Sequence, residues 1–242
     1  MRIQKIFSKY AAILAVTLAV GCLIHGAGSE PATGSKYTAE VAKLAAAPAP
    51  APGGILMVGS SIFRKWTNCV SDLAPLPVRN RAFGGSQTKD QLFFFDQIVP
   101  SSRAALVVWY CGSNDLNAKG TPDSILQNTR EWIGRTHAAL PQARILIVSV
   151  IRSPQKREKG VLAQVDQTNQ KLVQLAGSVP GVAYLDVNPA LETAAGEPVM
   201  ECYVSDKLHL TAEGYRRMTS VLRPAMEKEW KASLASKPAT SP

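Results

Sequence analysis

Histidine is scarce in this chain. Its 242 residues carry only His25, His137 and His209, so any reaction needing an imidazole base near neutral pH has three candidates. His25 falls in an amino-terminal apolar run, and His137 in a helical segment whose end points away from the strand ends where ligands bind in an α/β sheet, leaving His209. Cysteine is equally thin: with Cys22 set aside as a leader residue, Cys69, Cys111 and Cys202 remain, and an odd number cannot all pair. Cys111 ends an apolar strand and reads as a buried thiol. A Cys69–Cys202 bridge is compatible with export, but Cys69 sits on a helix begun at Ser61, roughly 12 Å down its axis, and Cys202 nearer the top. No Cys or His spacing resembles a zinc site. A Gly-rich phosphate cradle followed by Lys-Ser or Lys-Thr is missing, which argues against a nucleotide binder. Aromatics are 7% of the chain, and none interleaves with the one basic cluster, Arg152, Lys156, Arg157 and Lys159, which excludes a single-strand nucleic-acid surface. That cluster reads as a solvated loop, with a contact to anionic substrate or a membrane surface as the other reading. No long apolar lid segment occurs either.

What remains is ordinary for one globular domain: 46% hydrophobic residues and 19% charged, enough for a sizeable core. Three cations of the +9 net charge, Arg2, Lys5 and Lys9, precede an apolar run from Tyr10 to Ile24. That run matches a signal-peptide core and is short for a membrane span. Residues 1–28 read as a leader, and the protein as exported to the periplasm or beyond. Gly21-Cys22 suggests lipoprotein processing, with a membrane tether through Cys22, although Ala19 stands where such sites usually carry leucine. Ordinary cleavage near Ala27 or Gly28 is the other reading. Residues 29–53 end in alternating alanines and prolines, an extended linker. The folded domain is expected over 54–232, and a disordered tail over 233–242.

Downstream, short apolar runs alternate with helical periodicity. Strands are expected near Ile55–Gly59, Pro77–Asn80, Ala105–Cys111, Arg144–Ile151 and Val182–Asp186, the third and fourth apolar enough to be buried on both faces. Thr121-Pro122 supplies an N-cap and a first-turn proline, followed by Ile125, Leu126, Trp132, Ile133 and Leu140 at helical spacing. Leu162, Val165, Leu172 and Leu175 repeat the pattern, and a last helix runs from about Thr211 past Trp230. Such a βαβ series folds, through right-handed crossovers, into a parallel sheet between helical layers.

In such a sheet ligands bind at the carboxyl ends of the strands, where four patches meet: Gly59-Ser60-Ser61-Ile62, Phe83-Gly84-Gly85-Ser86, Gly112-Ser113-Asn114-Asp115 and Asp206-Lys207-Leu208-His209. Ser61 opens a helix whose unpaired N–H groups favour negative charge. With Ser61 as nucleophile, His209 takes and returns its proton, and Asp206 fixes the imidazole's tautomer; Asp186 and Glu201 are rival acids. The Ser61 and Gly85 N–H groups and the Asn114 amide are candidate oxyanion donors. Each patch alone has a structural reading as helix cap, tight turn or structural histidine. Their joint appearance after successive strands has none.

These blocks resemble the SGNH hydrolases, the GDSL-type esterase and lipase superfamily. The family's Ser, Gly, Asn and His fall on Ser61, Gly85, Asn114 and His209, and its Asp-x-x-His pair on Asp206 and His209, within about Gly54 to Ala225. The resemblance implies a flavodoxin-like three-layer sandwich with a five-stranded parallel sheet, and hydrolysis of acyl esters without metal or cofactor. Substrates of the family include lipids, glycans and small esters. Ser60 replaces the aspartate that often precedes the nucleophile, and Lys207 a smaller residue, where it either biases the mouth toward acidic substrates or points to solvent. No Gly-x-Ser-x-Gly elbow is present, which disfavours an α/β-hydrolase. The expected protein is an exported serine esterase on acyl esters, acetyl esters among them. An acyltransferase on a cell-surface glycan and a non-catalytic flavodoxin-like binding module are the alternatives. Of Phe93, Phe94 and Phe95, three adjacent aromatics, at least one is available to line an acyl pocket if not spent on helix-to-sheet packing.

Overall fold

The computed structural model describes residues 36–48 and 51–235; the leader with Cys22 and His25, and the last seven residues, lie outside them. Five strands, β1 (Ile55–Gly59), β2 (Val78–Asn80), β3 (Leu106–Tyr110), β4 (Arg144–Val148) and β5 (Val182–Leu185), form an all-parallel sheet in the order β2-β1-β3-β4-β5. This is the flavodoxin-like arrangement the resemblance implies. Because successive side chains leave a strand on opposite faces, runs covered on both sides must be apolar throughout. Ile55, Met57, Leu106, Val108, Leu146 and Val148 enter one core, and Leu56, Val58, Val107, Trp109, Ile145 and Ile147 the other.

The helices are α1 (Thr38–Ala46), α2 (Ser61–Arg64), α3 (Cys69–Asp72), α4 (Thr88–Phe93), α5 (Phe95–Ile98), α6 (Ser113–Asn117), α7 (Pro122–Ala139), α8 (Pro154–Glu158), α9 (Leu162–Ser178), α10 (Asn188–Leu191) and α11 (Ala212–Ala235). The first core is covered by α2, α3 and α11, through Phe63, Cys69, Met218, Leu222 and Met226. The second is covered by α1, α5, α7 and α9, through Val41, Phe95, Trp132, Leu172 and Leu175. At the start of α7 the Thr121 hydroxyl accepts the Ser124 N–H at 3.1 Å, with Pro122 in the first turn, as the sequence predicts.

Several expectations are corrected, and the open readings of the cysteines and of Phe93 to Phe95 are decided. The stretch read as linker contains α1, which packs on the domain: the Tyr37 ring meets Phe83 edge-on at 5.2 Å, Glu40 pairs with Arg64, and Arg81 Nη2 donates to the Ala47 carbonyl at 3.3 Å. At its other end α11 continues to Ala235, and the Ser233 hydroxyl donates to the Gln142 carbonyl at 2.9 Å, so residues 233–235 are helical rather than tail. The helix begun at Ser61 stops at Arg64, and Cys69 belongs to a separate helix. Trp66 turns inward between the two, stacks on Tyr215 at 5.1 Å and donates from Nε1 to Asp72 at 2.7 Å. Cys69, Cys111 and Cys202 are free, buried thiols, so the Cys69–Cys202 bridge is not formed. Phe94 and Phe95 are spent on packing, against Tyr37 and Trp132, while Phe93 stays half exposed. The basic cluster is solvated only in part: Arg157 and Lys159 are exposed, while Arg152 pairs with Asp166 and Glu192 and Lys156 is buried.

Candidate active site

The chain leaves β1 through a turn only glycine can make. Gly59 has φ +136°, and a Cβ there would stand 1.9 Å from the Tyr110 carbonyl oxygen. The Ser60 N–H donates to that same carbonyl at 3.0 Å, so the two residues before α2 stay clamped to the end of β3. Ser61 is the first residue of α2, and its Oγ lies 2.8 Å from His209 Nε2. His209 Nδ1 in turn lies 2.5 Å from Asp206 Oδ2.

The acid and the imidazole meet because of the local turn. Asp206 Oδ1 accepts the N–H groups of Leu208 and His209 at 3.0 and 2.9 Å. Between them Lys207 takes a left-handed φ of +59°, and its N–H donates to the Val204 carbonyl at 2.8 Å. Burial pushes the Asp206 carboxyl up, but the hydrogen bonds from the His209 ring and the two N–H groups outweigh it and bring it down to about 2. Held as a carboxylate, Asp206 accepts a hydrogen bond from the Nδ1–H of His209 and so favours the tautomer whose Nε2 lone pair faces the Ser61 hydroxyl. Of the rival acids, Asp186 caps its own turn, accepting the Asn188 N–H at 3.0 Å and its side-chain amide at 2.8 Å. Glu201 makes no bond to His209 among the described residues; Asp206 is the carboxylate paired with it.

The donor side stands on neighbouring strands, since β1 lies between β2 and β3. Beyond β2 the chain keeps following β1: the Phe83 N–H donates to the Gly59 carbonyl at 3.0 Å. The Gln91 side chain donates to that same carbonyl at 2.9 Å and to the Ser86 hydroxyl at 2.8 Å. Gly85 has φ +78°. Asn114, in the first turn of α6, donates from Nδ2 to the Ser86 carbonyl at 2.9 Å rather than capping its own helix. One amide hydrogen is thereby used and one remains. The N–H groups of Ser61 and Gly85 reach no acceptor among the described residues. Three donors at adjacent strand ends, two of them unspent, suit a developing oxyanion.

Behind this edge lies a group that sequence reading passes over. The Asp115 carboxylate is buried and accepts the Thr88 N–H at 3.0 Å and the Thr88 hydroxyl at 2.5 Å, bracing the second block against the third. Burial pushes its carboxyl up, against the pull of the Thr88 hydrogen bonds. Its place beside Asn114 was the available signal. Lys207 is spent as well, paired with Glu158 of α8. His137 sits by Gly181 at the amino end of β5, far from this edge, as expected. A cavity of about 460 Å³ is lined by Lys65, Trp66, Leu210 and Tyr215 among others, and by none of Ser61, Gly85, Asn114, Asp206 and His209. Among the described residues no group of three or more metal-ligating side chains occurs.

The family model for GDSL-like lipases and acylhydrolases matches residues 52–217, which span all four blocks from Gly59 to His209. The chain belongs to that family. This GDSL-like hydrolase is accordingly an ester hydrolase, acting on small-molecule esters. Its fold is similar to that of a GDSL-like lipase from Bacteroides thetaiotaomicron, at 20% identity and a TM-score of 0.68, covering 80% of this chain and 98% of that one. It is also similar to a carbohydrate esterase family 3 protein from Talaromyces cellulolyticus, at 15% identity and a TM-score of 0.59, covering 74% of this chain and 99% of the other. At such identities the likeness speaks for the fold alone. No curated protein matches the chain.

Proposed function

We propose that this GDSL-like hydrolase is an exported serine esterase that cleaves acyl esters through an acyl-enzyme on Ser61. The carrying observation is the unbroken chain from Asp206 through His209 to Ser61, at 2.5 and 2.8 Å. Ser61 Oγ attacks the acyl carbon as its proton passes to His209 Nε2. The oxyanion so formed is held by the N–H groups of Ser61 and Gly85 and by the Asn114 amide. Collapse breaks the bond to the alcohol oxygen, which leaves with the proton from His209. Water then attacks the acyl-Ser61 ester, giving its proton to His209. The acid departs, and Ser61 recovers its hydroxyl.

A fluorophosphonate probe tests this reading: it should label Ser61, fail on Ser61→Ala, and label His209→Ala far more slowly. Labelling elsewhere, or none, would sink it. Hydrolysis by this route needs no metal, so EDTA should leave the rate unchanged. Loss of activity restored by zinc would contradict the mechanism.

The substrate we assign is a short acyl ester, acetyl esters of sugars first among them. Support comes from the absence of a long apolar lid segment and from the burial of Phe94 and Phe95 in packing. Hydrolysis of acetyl esters in preference to long-chain acyl esters is the expected result, and the reverse preference would overturn it. Product analysis with alcohol acceptors separates hydrolysis from acyl transfer to a glycan. Export rests on the cationic, apolar leader of residues 1–28. The mature amino terminus, read by mass spectrometry, decides between cleavage near Ala27 and a lipid tether on Cys22.

A further inference from the structure

The two loops of the site are joined by α8, a helix outside both of them. On one side the Gln155 N–H donates to the carbonyl of Lys207, the residue between Asp206 and His209, at 2.9 Å. Glu158 pairs with the Lys207 ammonium on the same side. On the other side Lys156 reaches into α6: its Nζ donates to the Ser113 carbonyl at 2.6 Å and to Asn117 Oδ1 at 2.7 Å. Asn117 Nδ2 returns a bond to Gln155 Oε1 at 3.2 Å. Ser113 and Asn117 flank Asn114 on one short helix, so Lys156 grips that helix on both sides of the candidate oxyanion donor. The root of α8 is itself fixed, because the Asn169 side chain bonds both the N–H and the carbonyl of Val150, at 2.8 and 2.9 Å.

Lys156 is an expensive way to make this connection. The side chain is fully buried and both hydrogen-bond acceptors are neutral, so the desolvated ammonium is only partly compensated, by the Asp115 carboxylate. Burial, with Lys159 adding to it and Asp115 opposing, brings the ammonium down to about 7. A methionine of similar length would fill the space without that penalty, so stability alone does not account for a lysine here. Its three N–H groups do what methionine cannot, which is to fix α6 against α8 in one register.

We propose that Lys156 is a positioning residue for ester hydrolysis: through α8 it sets the spacing between the Asn114 amide and the Asp206–His209 pair. This rests on the catalytic reading of Ser61, His209 and Asn114 given above. Displacements of about 1 Å in such a constellation can cost on the order of 10²-fold in rate. Lys156→Met should therefore lower kcat by roughly 10- to 100-fold, leave KM nearly unchanged, and leave the melting temperature at or near the parent's. It should also bind a boronic acid, which forms a tetrahedral adduct on Ser61, more weakly by a similar factor. Asn117→Ala removes the side-chain acceptor and should show the same pattern more mildly. The double variant should be little worse than Lys156→Met alone, because the two act as one unit.

An unchanged kcat in Lys156→Met overturns the proposal. So does a fall in kcat matched by a fall in fluorophosphonate-reactive sites, with the surviving sites turning over at the parent rate, since that is a folding defect. If Lys156→Met does not fold, Asn117→Ala decides: a normal kcat and boronate affinity refute the positioning role. The parent separates this failure from failure of the underlying reading. A parent that is labelled at Ser61 while Lys156→Met behaves normally rejects the strut alone; a parent that is not labelled rejects the catalytic assignment.

Discussion

Two aspartates, Asp115 and Asp206, each stand beside a candidate catalytic residue and have opposite environments. Asp115 follows Asn114, is buried, and has its carboxyl pushed up by burial in spite of the Thr88 bonds. Asp206 lies just before His209 with a side chain 42% exposed, and its carboxyl is drawn down to about 2. The difference follows from what each one touches. Asp115 joins elements 27 residues apart and belongs to the buried scaffold of the donor half, as does Gln91, which reaches Gly59 across 32 residues. Asp206 serves a loop that closes on itself within three residues. An acid next to a catalytic residue is therefore not thereby catalytic; contact with the imidazole decides.

The comparison breaks most sharply under substitution. Ser61→Ala and His209→Ala should each lower kcat by about 10⁶-fold, since the members of such a unit fail together. Asp206→Asn should cost up to about 10⁴-fold in kcat with the fold retained, because an amide can present a donor where Nδ1–H needs an acceptor. Asp115→Asn, which acts only on the scaffold, should cost far less; an equal loss in both would erase the distinction between the halves. Asn114→Ala should lower kcat by about 10²- to 10³-fold with little change in KM. Glu201→Gln should turn over normally, and a severe loss there would reassign the third member.

The pattern of what sequence made legible follows the same division. The central strands β1, β3 and β4 are readable because burial on both faces forces continuous apolar runs, as in Leu106-Val107-Val108-Trp109-Tyr110, where every residue is buried, whereas the edge strands β2 and β5 are only partly buried. The Asp206–His209 pair was readable because its geometry is local. Missing from that reading were contacts made by distant elements. Nothing in Lys156 or its neighbours announces that its ammonium lies against Ser113, 43 residues earlier; a cationic tetrad looks solvated unless the partners Asp166, Glu192 and Glu197 are placed. Likewise α1 was hidden by composition: alanines and prolines suggest linker, while the packing of Tyr37 on Phe83 is decided by a strand end far downstream.

The smallest expected effect sharpens the comparison through stability instead of rate. Asp206 has a folded-state carboxyl at about 2, below the ordinary value of about 3.9. Between those values the unfolded chain binds more protons than the folded one, so this stabilisation is fully present above about pH 4 and is lost as pH falls through about 2. Asp115 is shifted the other way. Its folded form holds the proton longer, so its contribution is greatest at low pH and declines as pH rises past the ordinary carboxyl range. The melting temperature of Asp206→Asn should thus lie slightly below the parent's at pH 6, with the gap closing on acidification toward pH 2. For Asp115→Asn the change with pH should have the opposite sign, the variant losing ground relative to the parent as the pH is lowered. Because the Asp206 side chain is 42% exposed, solvent screening keeps the resulting change in melting temperature small. Gaps that move in the same direction for both variants would show that the two carboxylates do not occupy the contrasting environments described.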